Sequence, residues 1–220
     1  MAPKAKQDSR PKQTVTQITQ TGITAYDLAN KYAAQLTGRL PATLVAGLAT
    51  NLTSLGVAVP AAQTAHGTSI AATAAQNTAL DTGYQMLSAV RLSVTRNSAD
   101  PAVRKAYGVG TKTSKLLVKD VKNGLQLIVN RATANATEAA GLGILAADVA
   151  RYTAQIAAVD AADQAQEKAR ASAPQTTKQR NTTARQILAA VDAIAGAGAI
   201  AFDTSPTERA LFEALVKKGK

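Results

Sequence analysis

The sequence predicts an all-α protein, a multi-helix bundle of about seven or eight helices. Three observations carry that prediction. Hydrophobic residues make up 46% of the 220-residue chain, yet aromatics are only 3%, so alanine with leucine, isoleucine and valine must fill the interior. Alanine is the best helix former and is depleted in strands. Runs such as "ATEAAGLGILAADVARYTAQIAAVDAADQAQEKARA" show no alternating period and few residues of high strand preference. The length is enough to bury a sizeable core, as one large domain or two intimate halves.

Taken in order, residues 1–20 are polar and basic, with two early prolines and no apolar periodicity. They read as a flexible tail, leaving 21–220 for the bundle. A first helix is expected over 22–38, ending near Gly38. Pro41 suits the first turn of a second helix, whose stripe Leu44, Leu48, Leu52 and Leu55 follows helical spacing, with Gly56 and Pro60 marking its end. A long third helix is expected over 61–97, turning Ile70, Leu80, Tyr84, Leu87 and Val94 towards the core. In "SADPAVRKAYG", Asp100 is an N-cap, Pro101 the first helical residue and Gly108 the stop. Helices over 113–133, 136–171 and 175–203 follow. "TSPTERALFEALVKKGK" closes the chain with a capping box of Ser205 and Glu208 around Pro206.

One likeness lies within the chain. Asn77-Thr78 precedes Pro101, Asn181-Thr182 precedes Pro206, and after each proline the pattern Pro-x-x-Arg-x-x-aromatic recurs as Pro101, Arg104, Tyr107 and Pro206, Arg209, Phe212. An internal duplication would produce two pseudo-repeated halves, 21–109 and 110–220. Capping chemistry common to many helices would produce the same few matches.

The charge is +11, from 25 basic and 14 acidic residues. It is polarised along the chain: nine of the basic residues but only Asp100 and Asp120 lie in 91–131, whereas 137–170 holds five acidic residues against three basic. Such an excess draws acidic partners, whether nucleic acid, anionic lipid or protein. Cysteine is absent, which suits a reducing cytoplasm. The first residues lack the apolar core of a secretory signal. The longest apolar run, "ILAAVDAIAGAGAIAF", carries Asp192 and falls short of the roughly 18–20 residues that cross a bilayer. A soluble, cytoplasmic protein without a membrane span is expected.

"AYGVGTKTSKLLVKDVKNG" (106–124) has the look of a phosphate cradle, but a P-loop needs Gly-x-x-x-x-Gly-Lys-Ser/Thr after a strand. Here Thr111 separates Gly110 from Lys112, and no strand pattern precedes them. Gly108 reads as a helix stop, Gly110 as a linker, and Thr111 or Thr113 as the next N-cap. On the helix expected from there, Lys112, Lys115, Lys119 and Lys122 share an arc of about 80°. Leu117, Val121, Leu125, Ile128 and Val129 take another side. This lysine stripe is a candidate face for an anion or a partner. Asp160, Asp163 and Glu167, at helical spacing, form the acidic counterpart, able to pair with the lysines within the molecule or between copies.

No catalytic constellation is present. His66 is the sole histidine, Glu-x-x-His pairs are missing, and no metal or cofactor site is expected. Glycines and alanines in "AIAGAGAIAF" favour close helix packing, in a core or between subunits. The reading that follows is a non-enzymatic structural or protein-interaction module, contacting another protein or itself as a homo-oligomer. The alternative is sequence-independent nucleic-acid binding through the lysine stripe and the basic tail.

Overall fold

The computed structural model describes residues 11–216, which form eight α-helices and no strand. They are α1 (Val15–Lys31), α2 (Ala33–Leu36), α3 (Leu44–Asn97), α4 (Pro101–Ala106), α5 (Val118–Ala134), α6 (Ala136–Gly141), α7 (Ala146–Ala201) and α8 (Pro206–Val216). The all-α multi-helix bundle is as the composition predicts. The chain divides into two compact units. A terminal unit draws on Met1–His66 and Ser172–Lys220, and a central unit on Gly67–Ala171. The long helices α3 and α7 each supply a segment to both.

Boundaries differ from the sequence expectation in several places, among them 142–145, where Gly143 at φ 79° breaks the helix expected over 136–171 into α6 and α7. Helix α1 begins at Val15, inside the stretch assigned to the tail. Thr14 caps it through a capping box with Gln17: the Gln17 amide donates to Thr14 Oγ1 at 3.2 Å, and the Thr14 amide donates to Gln17 Oε1 at 2.9 Å. Ile18 on its first turn is wholly buried. The rest of the tail, 1–10, lies outside the described residues.

Helix α3 runs unbroken through Pro60, and α7 through Pro174. A helical proline forfeits one hydrogen bond and crowds the carbonyl four residues earlier. Pro60 and Gly56 are both exposed, as are Pro174 and Arg170, so water can serve the freed carbonyls. On the inner side, Leu48, Leu55 and Ala62 remain buried across Pro60. Helix α5 starts at Val118 rather than near 113, with Leu117 at the N-cap and no side-chain cap bond.

Burial recurs along the chain in register. α1 and α5 each span 17 residues. The first buries Ile18, Gly22, Ala25 and Ala29; the second buries Val121, Leu125, Ile128 and Ala132, each 103 positions after its counterpart. Leu48 and Leu55 on α3 correspond to Tyr152 and Val159 on α7, at a spacing of 104. The same spacing relates buried Leu80, Gly83, Leu87, Val90 and Val94 to buried Ala184, Ile187, Val191, Ile194 and Gly198. Tyr107 and Phe212, the aromatics of the Pro-x-x-Arg-x-x pattern, are both fully buried.

Close approach of helices depends on glycine facing a bulky side chain. In the terminal unit a methyl group on Gly22 would lie 2.8 Å from Ile187 Cγ2 and 2.9 Å from Leu52 Cδ2. In the central unit one on Gly83 would lie 2.7 Å from Val121 Cγ1 and 3.4 Å from Leu125 Cδ1. The Phe212 ring lies against Gly198, leaving no room for a Cβ there. Of the two glycines in "AIAGAGAIAF", Gly198 is therefore spent on core packing, whereas Gly196 has open space beside it.

By length and composition alone, α3 and α7 each contain an 18-residue stretch apolar enough to cross a membrane, which the expectation based on the longest apolar run did not anticipate. In α7 that stretch is 44% buried, as in a core helix; in α3 it is 11% buried. Ile70, expected in the core, is 59% exposed, whereas Leu80, Leu87 and Val94 are buried as expected.

Gly198→Ala should destabilise the protein by about 1–3 kcal/mol, the usual cost of an extra methyl in a filled core. Gly196→Ala, with space to spare, should be neutral or slightly stabilising through helix propensity. Paired urea melts of the two variants check this.

Candidate functional site: the loop before α5 and the acidic side of α7

The segment 107–117 lies between α4 and α5 in the central unit. Its course follows from local chemistry. Asp100 caps α4, its carboxylate accepting from the Ala102 amide at 2.8 Å. Arg104 ties that helix to the end of α3, donating to the Ser98 and Thr95 carbonyls at 2.8 and 2.9 Å. Tyr107 plugs the core, and Gly108 then turns the chain at φ 72°, a left-handed conformation that glycine alone adopts freely.

Arg91, from α3, holds the loop. Its guanidinium donates to the Thr111 carbonyl at 3.2 Å and to Thr113 Oγ1 at 3.0 Å. Burial pushes its pKa below the ordinary arginine value, although arginine remains charged at any ordinary pH. At the far end, Asp120 in the first turn of α5 accepts from the Ser114 amide at 3.0 Å. A cavity of ≈ 230 Å³ lies among Arg91, Thr111, Lys112, Thr113, Asp120 and Leu127. Because Arg91 is spent on the loop and a carboxylate faces the same space, this is a braced loop rather than a phosphate cradle.

The lysine stripe does not form as a continuous helical face. With α5 starting at Val118, Lys112 and Lys115 belong to the loop, and only Lys119 and Lys122 are helical. Lys112, Lys115 and Lys119 are exposed, whereas Lys122 forms an ion pair with Asp160. Neither Thr111 nor Thr113 is the N-cap of α5. Leu117, expected in the core, is 55% exposed; Val121, Leu125 and Ile128 are buried as expected.

The acidic residues are likewise divided. Asp160 takes Lys122, and Asp163 accepts from Gln76 Nε2 at 2.6 Å, binding α7 to α3 within the unit. Glu167 is exposed. A further ion pair escaped the sequence reading. Arg131 donates twice to Glu138, at 3.0 and 2.6 Å, beside the buried Tyr107 ring. Its only sequence signal was opposite charge on consecutive helices. His66 is exposed on α3, and among the described residues no group of three or more His, Cys, Asp or Glu could hold a metal.

Two apolar depressions lie elsewhere on the surface. The terminal unit has one of ≈ 320 Å³ lined by Thr53, Ser54, Val57, Ala58, Ala61 and Gln179, among others. The central unit has one of ≈ 440 Å³ whose lining includes Ala132, Ala136, Ala140, Ile144 and Leu145. No protein-family model matches the chain, and neither a curated protein nor a solved structure shows significant similarity to it. The fold thus defines the protein only as an all-α helical bundle of two compact units.

Arg91→Ala should free the loop: amides of 109–117 should exchange hydrogen faster, with those of α1 unchanged, and stability should fall by about 1.5–3 kcal/mol for the lost charged hydrogen bonds. A second expectation concerns alkali. Burial, and then the Glu138 carboxylate, raise the Tyr107 phenol above its ordinary 10.0. The folded chain holds this proton more tightly than the unfolded one. Its contribution is therefore complete below about pH 10 and is lost as pH rises towards the folded value. Tyr107→Phe should flatten that alkaline decline in urea melts. It should not abolish it, since burial also raises Tyr152.

Proposed function

We propose that the protein is a non-enzymatic helical module that works through its outer surfaces, associating with itself or with another protein. One observation carries the reading. The most apolar 18-residue stretch of α3 is only 11% buried, and Val57 on that helix is 69% exposed at the rim of the terminal unit's depression. Leu44, Val45, Leu52 and Val59 of that stretch are half-buried against the core, so Val57 and the small residues beside it are the apolar surface left to water, and exposed apolar surface of this kind marks contact sites on soluble proteins. The same face would suit lipid, so the soluble, cytoplasmic setting belongs to the proposal. The lack of paired catalytic groups around His66 supports the non-enzymatic part.

The nucleic-acid alternative rests on Lys112, Lys115 and Lys119, which stay exposed. It is the weaker reading, because Lys122 is neutralised by Asp160 and two exposed leucines interrupt the basic surface.

Light scattering across a dilution series should show concentration-dependent association, and Val57→Lys should shift it to monomer with helical circular dichroism unchanged. A wild-type protein that stays monomeric throughout removes self-association. A steeply salt-dependent shift with duplex DNA or RNA at low ionic strength would instead favour the alternative.

A further inference from the structure

We propose that the segment 111–119, the end of the loop with the first residues of α5, is a membrane-surface anchor, docking reversibly on a bilayer that carries anionic headgroups. The central unit projects Leu116 and Leu117 there, 73% and 55% exposed; Leu116 is the most exposed large apolar side chain among the described residues. Lys112, Lys115 and Lys119 flank the pair in sequence, all exposed and none with a carboxylate partner among the described residues. The acidic group nearest in sequence, Asp120, is turned inward to the Ser114 amide.

The leucines are not exposed through slackness. Arg91 grips Thr111 and Thr113 on one side, and Asp120 grips Ser114 on the other. A braced loop loses little conformational freedom on docking. The combination suits one kind of surface. Two adjacent apolar side chains gain nothing from a phosphodiester backbone, but they reach the boundary between headgroups and acyl chains. Lysine stems can lie along that boundary with their ammonium groups at the phosphates. Each basic residue near an anionic leaflet adds attraction that falls off within a Debye length. A single loop carrying two leucines gives peripheral, reversible binding rather than insertion.

The test is sedimentation of the full-length protein with vesicles of phosphatidylcholine alone and with added phosphatidylserine. Expected is binding to the anionic vesicles only, weakening as salt rises, with Leu116→Ser/Leu117→Ser lowering the partition coefficient by about tenfold or more. Both leucines are outside the core, so circular dichroism of this variant should be unchanged. Lys115→Gln/Lys119→Gln should weaken binding and flatten its salt dependence. No binding to anionic vesicles at low salt overturns the proposal. So does equal binding by the leucine variant, which would assign attachment to other basic residues. A nucleic-acid shift lost in the lysine variant, without vesicle binding, overturns it in favour of a phosphodiester partner.

We further infer, from the recurring burial pattern, that the chain is one helical plan repeated and fused. α1 to α4 form the first copy and α5 to α8 the second, and each compact unit is assembled from parts of both. The glycine contacts support this because they are exchanged between copies. Gly22 corresponds to Leu125 and Ile187 to Gly83, so the same junction is Gly against Ile in the terminal unit and Leu against Gly in the central one.

If the junctions are equivalent, Gly22→Leu and Ile187→Gly should each destabilise, yet together restore much of the loss. The reciprocal pair Leu125→Gly and Gly83→Ile should do the same. Strictly additive losses in both double-mutant cycles overturn the inference. A chain too unstable for one cycle is decided by the other, or by Gly22→Ala with Ile187→Ala.

Discussion

The fold depends on glycine facing bulk where helices cross. A chain with so few aromatics cannot gain much from each buried side chain, because alanine removes little apolar area from water. Stability must then come from packing density: many atoms brought within van der Waals range along long helices. Gly22 under Ile187, Gly83 under Val121, Gly124 under Leu87 and Gly198 under Phe212 provide that approach. Each glycine costs helix propensity at an interior position. The contact must more than repay it, and the full burial of the four facing side chains shows how.

The two units differ in chemistry at positions that the inferred repeat relates. In the terminal unit Tyr32, Phe202 and Phe212 form an aromatic triad, with Phe202 and Phe212 stacked at 5.6 Å between centroids and Tyr32 edge-on to Phe202 at 4.9 Å. The corresponding positions in the central unit are Asn135, Ser98 and Tyr107. With two of three rings missing, Tyr107 is accompanied by the doubly bonded Arg131–Glu138 pair, and Asn135 donates to the Arg131 carbonyl at 3.3 Å. The rings gain mainly by burying apolar area in stacked and edge-on contacts, whereas a bidentate pair fixes both partners through charged hydrogen bonds. The central unit therefore gains geometric definition beside the braced loop where the terminal unit gains apolar area.

What could be read in the sequence was local. Asp100 with Pro101 marked α4 because cap and first-turn proline act within a few residues, and buried Leu48, Leu55, Leu87 and Val94 followed helical spacing. The Thr14–Gln17 box is equally local, but the polar residues around it carry no apolar period to mark a helix there. Pro60 and Pro174 misled, since whether a helix survives a proline depends on burial of its other face by distant segments. The start of α5 could not be read either. Thr111 and Thr113 are good N-caps in isolation, but here Arg91, some 20 residues earlier, takes both for the loop. Delaying the helix to Val118 is what moved Lys112, Lys115 and Leu117 off the expected faces.

That delay also determines where the basic excess is felt. The carboxylates of the central unit are largely engaged at short range: Asp100 at a cap, Asp120 and Asp148 at backbone amides, Glu138 with Arg131, Asp160 with Lys122 and Asp163 with Gln76. A paired charge presents only a dipole to the outside, and its field decays faster than that of a free one. Only Asp160, Glu138 and Asp148 pair with a cation, whereas Asp100, Asp120 and Asp163 bond neutral groups and keep their charge. Lys112, Lys115 and Lys119 stay exposed without an ion-pair partner among the described residues, while Asp120 is held at the Ser114 amide. Because the most exposed leucine lies among them, attraction and apolar contact coincide at one place on the central unit.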